Sequence, residues 1–194
     1  MTHAAYFGIV LAAAVAATWP ATFANAEQAS PLAAVEADMR KAYPNVANMR
    51  PAELVDLEAS GKPVVLLDAR THAEFGVSRI AGAQHVDPRI SATEFQSRFG
   101  ADLAGKTVVI YCAVGGRSSD LANRIDKVAR QAGAAGVYNM EGGIFRWHNE
   151  KRPLTGPSGA TDEVHPFSAN AARLIERQEG VAYRPGTSKS AKGQ

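Results

Sequence analysis

The chain is poor in cysteine: among its 194 residues there is one, Cys112. A lone thiol excludes an internal disulfide and leaves no resolving partner for a thioredoxin-like redox cycle. Excess charge is also missing. The 21 Lys and Arg against 19 Asp and Glu give a net charge of +2, which argues against a nucleic-acid-binding surface. The five histidines lack zinc-ligand spacing and have no thiolate partner beyond Cys112, so no metal site is expected. No segment is repeated, and the apolar stretch from Ala4 to Trp19 is too short and too Ala-rich for a membrane span.

Acidic residues, Lys and Arg are all absent before Glu27. The apolar stretch leads through Pro20 to Ala24-Asn25-Ala26, a small-x-small site. That order reads as a secretory signal peptide over residues 1–26, cleaved after Ala26, although only His3 and the α-amino group supply positive charge. An uncleaved anchor or a misassigned start is the lesser reading. The expectation is a periplasmic or secreted protein with no stable membrane span after processing. A free thiol in an oxidising compartment is a liability, and its presence points to use.

Hydropathy patterning divides the rest. Residues 27–47 form a lead-in in which Leu32, Val35, Met39 and Tyr43 recur at helical spacing. Pro51 fits the first turn of a helix reaching Ala59. Val64-Val65-Leu66-Leu67 and Thr107–Tyr111 are continuous apolar runs, as strands of a sheet covered on both faces require. Short helices are expected over Thr71–Val77 and Ser91–Phe99, with a brief strand at Gln84–Asp87 between them. A helical stripe through Leu121, Ile125, Val128 and Ala132 ends at Gly133. A last strand at Val137–Met140 precedes a short helix carrying Ile144 and Trp147, which Pro153 stops. Alternating strands and helices predict a single α/β domain over residues 48–155, with a mainly parallel central sheet flanked by helices. Residues 156–194 read as an extension, with a helix docked over Pro166–Gln178 and a disordered basic tail from Thr187 that includes Lys189 and Lys192.

Cys112 ends an apolar strand and opens the loop Cys112-Ala113-Val114-Gly115-Gly116-Arg117, with a helix expected from about Ser118. A strand-to-helix loop gathers backbone N–H groups and faces the positive end of the helix dipole, both of which favour negative charge on sulfur. Gly115 and Gly116 permit positive φ, so that successive N–H groups turn inward as a cradle for a small anion. Arg117 adds a charge-assisted contact to an oxyanion, although arginines more often pair with an acid.

Three segments carry a resemblance to single-domain rhodaneses, the thiosulfate-type sulfurtransferases. They are Asp68-Ala69-Arg70 with Glu74-Phe75 and Ile80-Ala81-Gly82-Ala83, Tyr111-Cys112 through Arg117-Ser118, and Glu141-Gly142-Gly143 with Trp147. Ser78-Arg79 stands where these proteins often have Gly-His. The resemblance implies that Cys112 accepts a sulfane sulfur from thiosulfate or a persulfide and passes it to a thiol, cyanide or a sulfur-relay protein. Ala113, Val114, Gly115, Gly116, Arg117 and Ser118 would bind the transferred group, with Asp68 and Arg70 bracing neighbouring loops. Neither a metal nor an organic cofactor is implied. The six residues from Cys112 to Arg117 match the sulfurtransferase loop, one shorter than that of the related phosphatases. A carrier module that holds a persulfide for a protein partner without turnover is the alternative. Glu74 reads as a helix anchor or an arginine partner, Trp147 and Tyr111 as packing residues, and His72 and His85 as satisfied or solvated groups near the pocket mouth.

Overall fold

The structure is a computed structural model that describes Met1 and residues 30–188. The expected cleavage site after Ala26 lies outside the described residues, as do Lys189 and Lys192. Five parallel strands form the central sheet: β1 (Ala47–Met49), β2 (Val64–Asp68), β3 (Gln84–His85), β4 (Thr107–Tyr111) and β5 (Gly136–Met140), in the order β1-β5-β4-β2-β3. Their helices are α1 (Pro31–Ala42), α2 (Pro51–Ala59), α3 (His72–Val77), α4 (Ala92–Phe99), α5 (Gly116–Gln131) and α6 (Gly143–Asn149).

The continuous apolar runs of β2 and β4 supply both faces of this sheet, because alternate strand residues point to opposite sides. Val65, Leu67, Val108 and Ile110 pack with Phe95, Leu121 and Ile125 of α4 and α5. Leu66, Val109 and Tyr111 pack with Leu32, Leu54, Ile144 and Phe145 of α1, α2 and α6. This is the mainly parallel α/β architecture the sequence predicts. Local start signals set the helix ends, of which the sequence predicts the Pro51 one. Thr71 and Ser91 cap α3 and α4 through capping boxes with Glu74 and Glu94, and Pro51 opens α2.

The differences are local. The third strand stops at His85 rather than Asp87. Helix α5 begins at Gly116, two residues before the expected start, because Gly115 at φ 111° serves as its N-cap. Strand β1 is too short for a periodicity signal, and its position comes from pairing Ala47–Met49 with Tyr138–Met140. A hairpin of β6 (Leu154–Gly156) and β7 (Gly159–Thr161) follows α6.

The helix expected over Pro166–Gln178 does not form. The segment makes two 3-10 turns, Ala171–Leu174 and Gln178–Gly180. Side chains take over the carbonyls that a helical ladder would use. Gln178 Nε2 donates to the carbonyls of Ala172 and Ile175, and Asn149 Nδ2 to that of Leu174 at 3.0 Å. Residues on both sides of 48–155 share the core: Leu32 before it, and Val164 and Ile175 after it.

Candidate active site

Strands β2 and β4 are neighbours with Asp68 in register with Tyr111, so the segments after them leave the same edge of the sheet side by side. In open parallel sheets ligands bind beyond this carboxyl edge. Cys112 is the first residue past β4 and is 1% exposed. The Gly115 N–H donates to its Sγ at 3.2 Å, so the amide just ahead of α5 faces the sulfur.

Helix α6 orients the preceding part of the loop. The N–H groups of Ile144 and Phe145 donate to the carbonyls of Cys112 (2.9 Å) and Ala113 (3.1 Å). A trans peptide sets C=O and the next N–H in opposite directions, so those of Ala113 and Val114 point away from α6. The contact depends on Gly143, at φ 55°. A Cβ there would meet the carbonyl oxygen of Cys112 and lie 2.6 Å from that of Ala113. This is the physical content of the Glu141-Gly142-Gly143 segment.

Arg117 lies on the first turn of α5 and does not stand free. Its guanidinium makes two 2.8 Å bonds to the Glu74 carboxylate and lies 4.8 Å from the Phe167 ring centroid. Burial alone would raise the Glu74 carboxyl, but the Arg117 bonds and the Thr71 amide hold it down at about 2. Burial would likewise weaken the Arg117 charge. Glu74 and the Cys112 sulfur reverse that, so the cation is preserved beside the thiol. Glu74 is thus both helix anchor and arginine partner.

The other expected residues divide by role. Val114 and Gly116 are partly buried at the loop surface, with Met39 of α1 close beside Gly115 and Gly116. The Ser118 hydroxyl is buried and engaged elsewhere, 3.1 Å from the Gly115 carbonyl and 2.6 Å from Asn139 Oδ1. It braces the loop, and any contact with a bound group falls to its backbone. Asp68 and Arg70 form a fully buried pair, with Arg70 Nη2 2.6 Å from both Asp68 Oδ2 and the Ser78 carbonyl. Tyr111 turns away from Cys112, and its hydroxyl accepts from the Ile80 amide at 3.1 Å.

Sequence reasoning missed Asn139, whose Nδ2 donates to Asn48 Oδ1 at 2.8 Å and ties β5 to β1 beneath the loop. The available signal was a lone amide within an apolar strand, since a buried polar group requires a partner. It also missed Met39 and Phe167, which approach the loop from the two ends of the chain. Among the described residues no cluster of His, Cys, Asp and Glu is arranged to hold a metal ion.

Comparison with known proteins matches residues 50–150 to the Rhodanese-like domain. A tRNA uridine(34) hydroxylase from Burkholderia ambifaria is 30% identical over 146 residues, covering 66% of this chain and 50% of that protein. A probable adenylyltransferase/sulfurtransferase, MoeZ, from Mycobacterium tuberculosis is 31% identical over 104 residues, or 53% of this chain and 25% of the relative. The chain therefore spans half or less of the length of these curated relatives. Among solved structures, thiosulfate sulfurtransferase from Pseudomonas aeruginosa aligns with a TM-score of 0.49 and 18% identity, over 72% of this chain and 26% of that one.

Proposed function

Given that this chain belongs to the rhodanese-like domain family, we propose that it is a sulfurtransferase in which Cys112 carries a sulfane sulfur from a donor to a thiophilic acceptor. The observation that carries the reading is the Gly115 N–H directed onto Cys112 Sγ at the start of α5, with the Arg117 cation alongside. A sulfur bonded to Cys112 would extend its negative end past the Gly115 N–H at the start of α5, where fixed backbone donors stabilise charge without reorganising.

The transfer has two steps. The Cys112 sulfur attacks the outer sulfur of thiosulfate, forming a persulfide as the donor's S–S bond breaks and sulfite leaves with the electron pair. A thiol or cyanide then attacks the terminal sulfur, and the pair returns to Cys112. Arg117 attracts the anionic donor and supports charge on the departing sulfite. Glu74 keeps that guanidinium in place. No cofactor is needed for either displacement.

Steady-state thiocyanate formation from thiosulfate and cyanide tests this. The wild type turns over, and Cys112→Ala abolishes the product while retaining the fold by circular dichroism. Thiocyanate from the Cys112→Ala protein would refute the assignment. A wild type that takes up one sulfur yet releases it only to a protein would favour a carrier module. The apolar N-terminus ending at Ala26 supports a periplasmic site of action. An N-terminal sequence beginning at Glu27 in protein from the periplasmic fraction is the expected result.

A further inference from the structure

Strand β5 lies inside the sheet, between β1 and β4, and Asn139 is its one side-chain amide. Asn139 is 2% exposed. An amide buried at that depth costs stability unless it is hydrogen-bonded, so its partners show what it is kept for.

Those partners form a chain that runs one way. The Ser118 hydroxyl donates to Asn139 Oδ1 at 2.6 Å, Asn139 Nδ2 to Asn48 Oδ1 at 2.8 Å, and Asn48 Nδ2 to the Val46 carbonyl at 3.2 Å. Because donors and acceptors alternate in a single sense, each link polarises the next. The chain begins beside β1, outside the 50–150 match, crosses β5 and ends on the first turn of α5. A strut between β1 and β5 would need only the Asn48 link. The Ser118 link leads on to the loop.

There it meets Gly115. The Ser118 hydroxyl is 3.1 Å from the Gly115 carbonyl, and a Cβ on Gly115 would lie 3.5 Å from Asn139 Nδ2. Gly115 needs outside support, because a glycine at φ 111° has no side chain of its own to stop its peptide from swinging. Its N–H is the one that donates to Cys112 Sγ. Helix α6 holds the Cys112 and Ala113 carbonyls, which fixes the front of the loop. The Gly115 end is fixed from the sheet, through Asn139 and Ser118.

We propose that Asn139 is a positioning residue for sulfur transfer, which through Ser118 keeps the Gly115 N–H directed onto the reacting sulfur. It supplies no atom to the reaction and sets the rate by holding the donor that does. The inference rests on the reading of Cys112 as sulfur acceptor and adds the side chains that govern how fast it accepts. Arg117 and Glu74 stand outside the chain, so attraction of the anionic donor is a separate function.

The test follows single-turnover sulfur uptake from thiosulfate, by rapid quench and intact mass, in the full-length wild type, Ser118→Ala, Asn139→Leu and the double variant. Circular dichroism and urea denaturation report the fold, and the small Ser118→Ala change carries the test alone if Asn139→Leu does not fold. Each single change lowers the saturating rate about tenfold or more, because the donor is displaced from the sulfur. The half-saturating thiosulfate concentration stays within about twofold of wild type, since Arg117 and Glu74 are untouched. The double variant is no slower than the slower single, as expected for two residues sharing one bond. A wild-type saturating rate in folded Ser118→Ala, or losses that multiply in the double variant, overturns the positioning role alone. If the wild type takes up no sulfur on Cys112, the underlying reading fails instead.

Discussion

The two adjacent segments leaving β2 and β4 start from the same edge of one sheet, yet they end in opposite states. After β2, the chain closes on itself. Asp68 and Arg70 neutralise each other in full burial, and the Ser78 carbonyl takes a further guanidinium N–H. After β4, the Gly115 N–H ahead of α5 reaches the Cys112 sulfur, while Gly143 lets the start of α6 reach the carbonyls of Cys112 and Ala113 behind it. Topology offers both segments as sites, and side-chain chemistry decides which one is filled. Glu74 couples them, because it starts the helix after β2 and grips the arginine after β4.

The largest expected effect comes from opening the closed end. Arg70→Ala leaves Asp68 charged and buried without its partner, a loss of about 3–5 kcal/mol. Chemical denaturation measures it, and the fraction still folded should take up sulfur on Cys112 as the wild type does. A specific loss of uptake in folded protein would show that the two ends are not separable.

Next is Gly143→Ala, aimed at the other end. The new Cβ meets the carbonyls of Cys112 and Ala113 and adopts a left-handed φ, costing about 2 kcal/mol or more. Sulfur transfer should fall about tenfold or more in protein that remains folded, since the donors are displaced from the sulfur. Unchanged kinetics would contradict the role given to α6.

Glu74→Gln gives the smallest effect and tests the link. The Glu74 carboxyl sits near about 2 when folded, below its ordinary 4.5, so its contribution is complete above 4.5 and lost as pH falls towards 2. The variant should be less stable by about 2 kcal/mol at neutral pH, and its stability should depend less on pH in that acidic window. An equally steep pH dependence in the variant would assign it to other carboxylates.

Much of this was legible in the residues, for identifiable reasons. Continuous apolar runs marked β2 and β4 because a strand buried on both faces tolerates little else. Cys112, its glycines and Arg117 stood together in one loop, so their meeting needed no tertiary knowledge. The residues that were not legible act across the chain. Asn139 finds Asn48 only once β5 lies against β1, and Phe167 finds Arg117 only after the extension folds back. The helix expected over Pro166–Gln178 failed partly for the same reason, since Asn149 reaches across to the Leu174 carbonyl while Gln178 takes two more from within the segment.

The most direct measurement is peptide-resolved intact mass of the full-length protein, before and after thiosulfate and again after cyanide. The account predicts a gain of one sulfur atom per chain, confined to the peptide containing Cys112, and its complete removal by cyanide. No added sulfur, or sulfur found on any other residue, would contradict it.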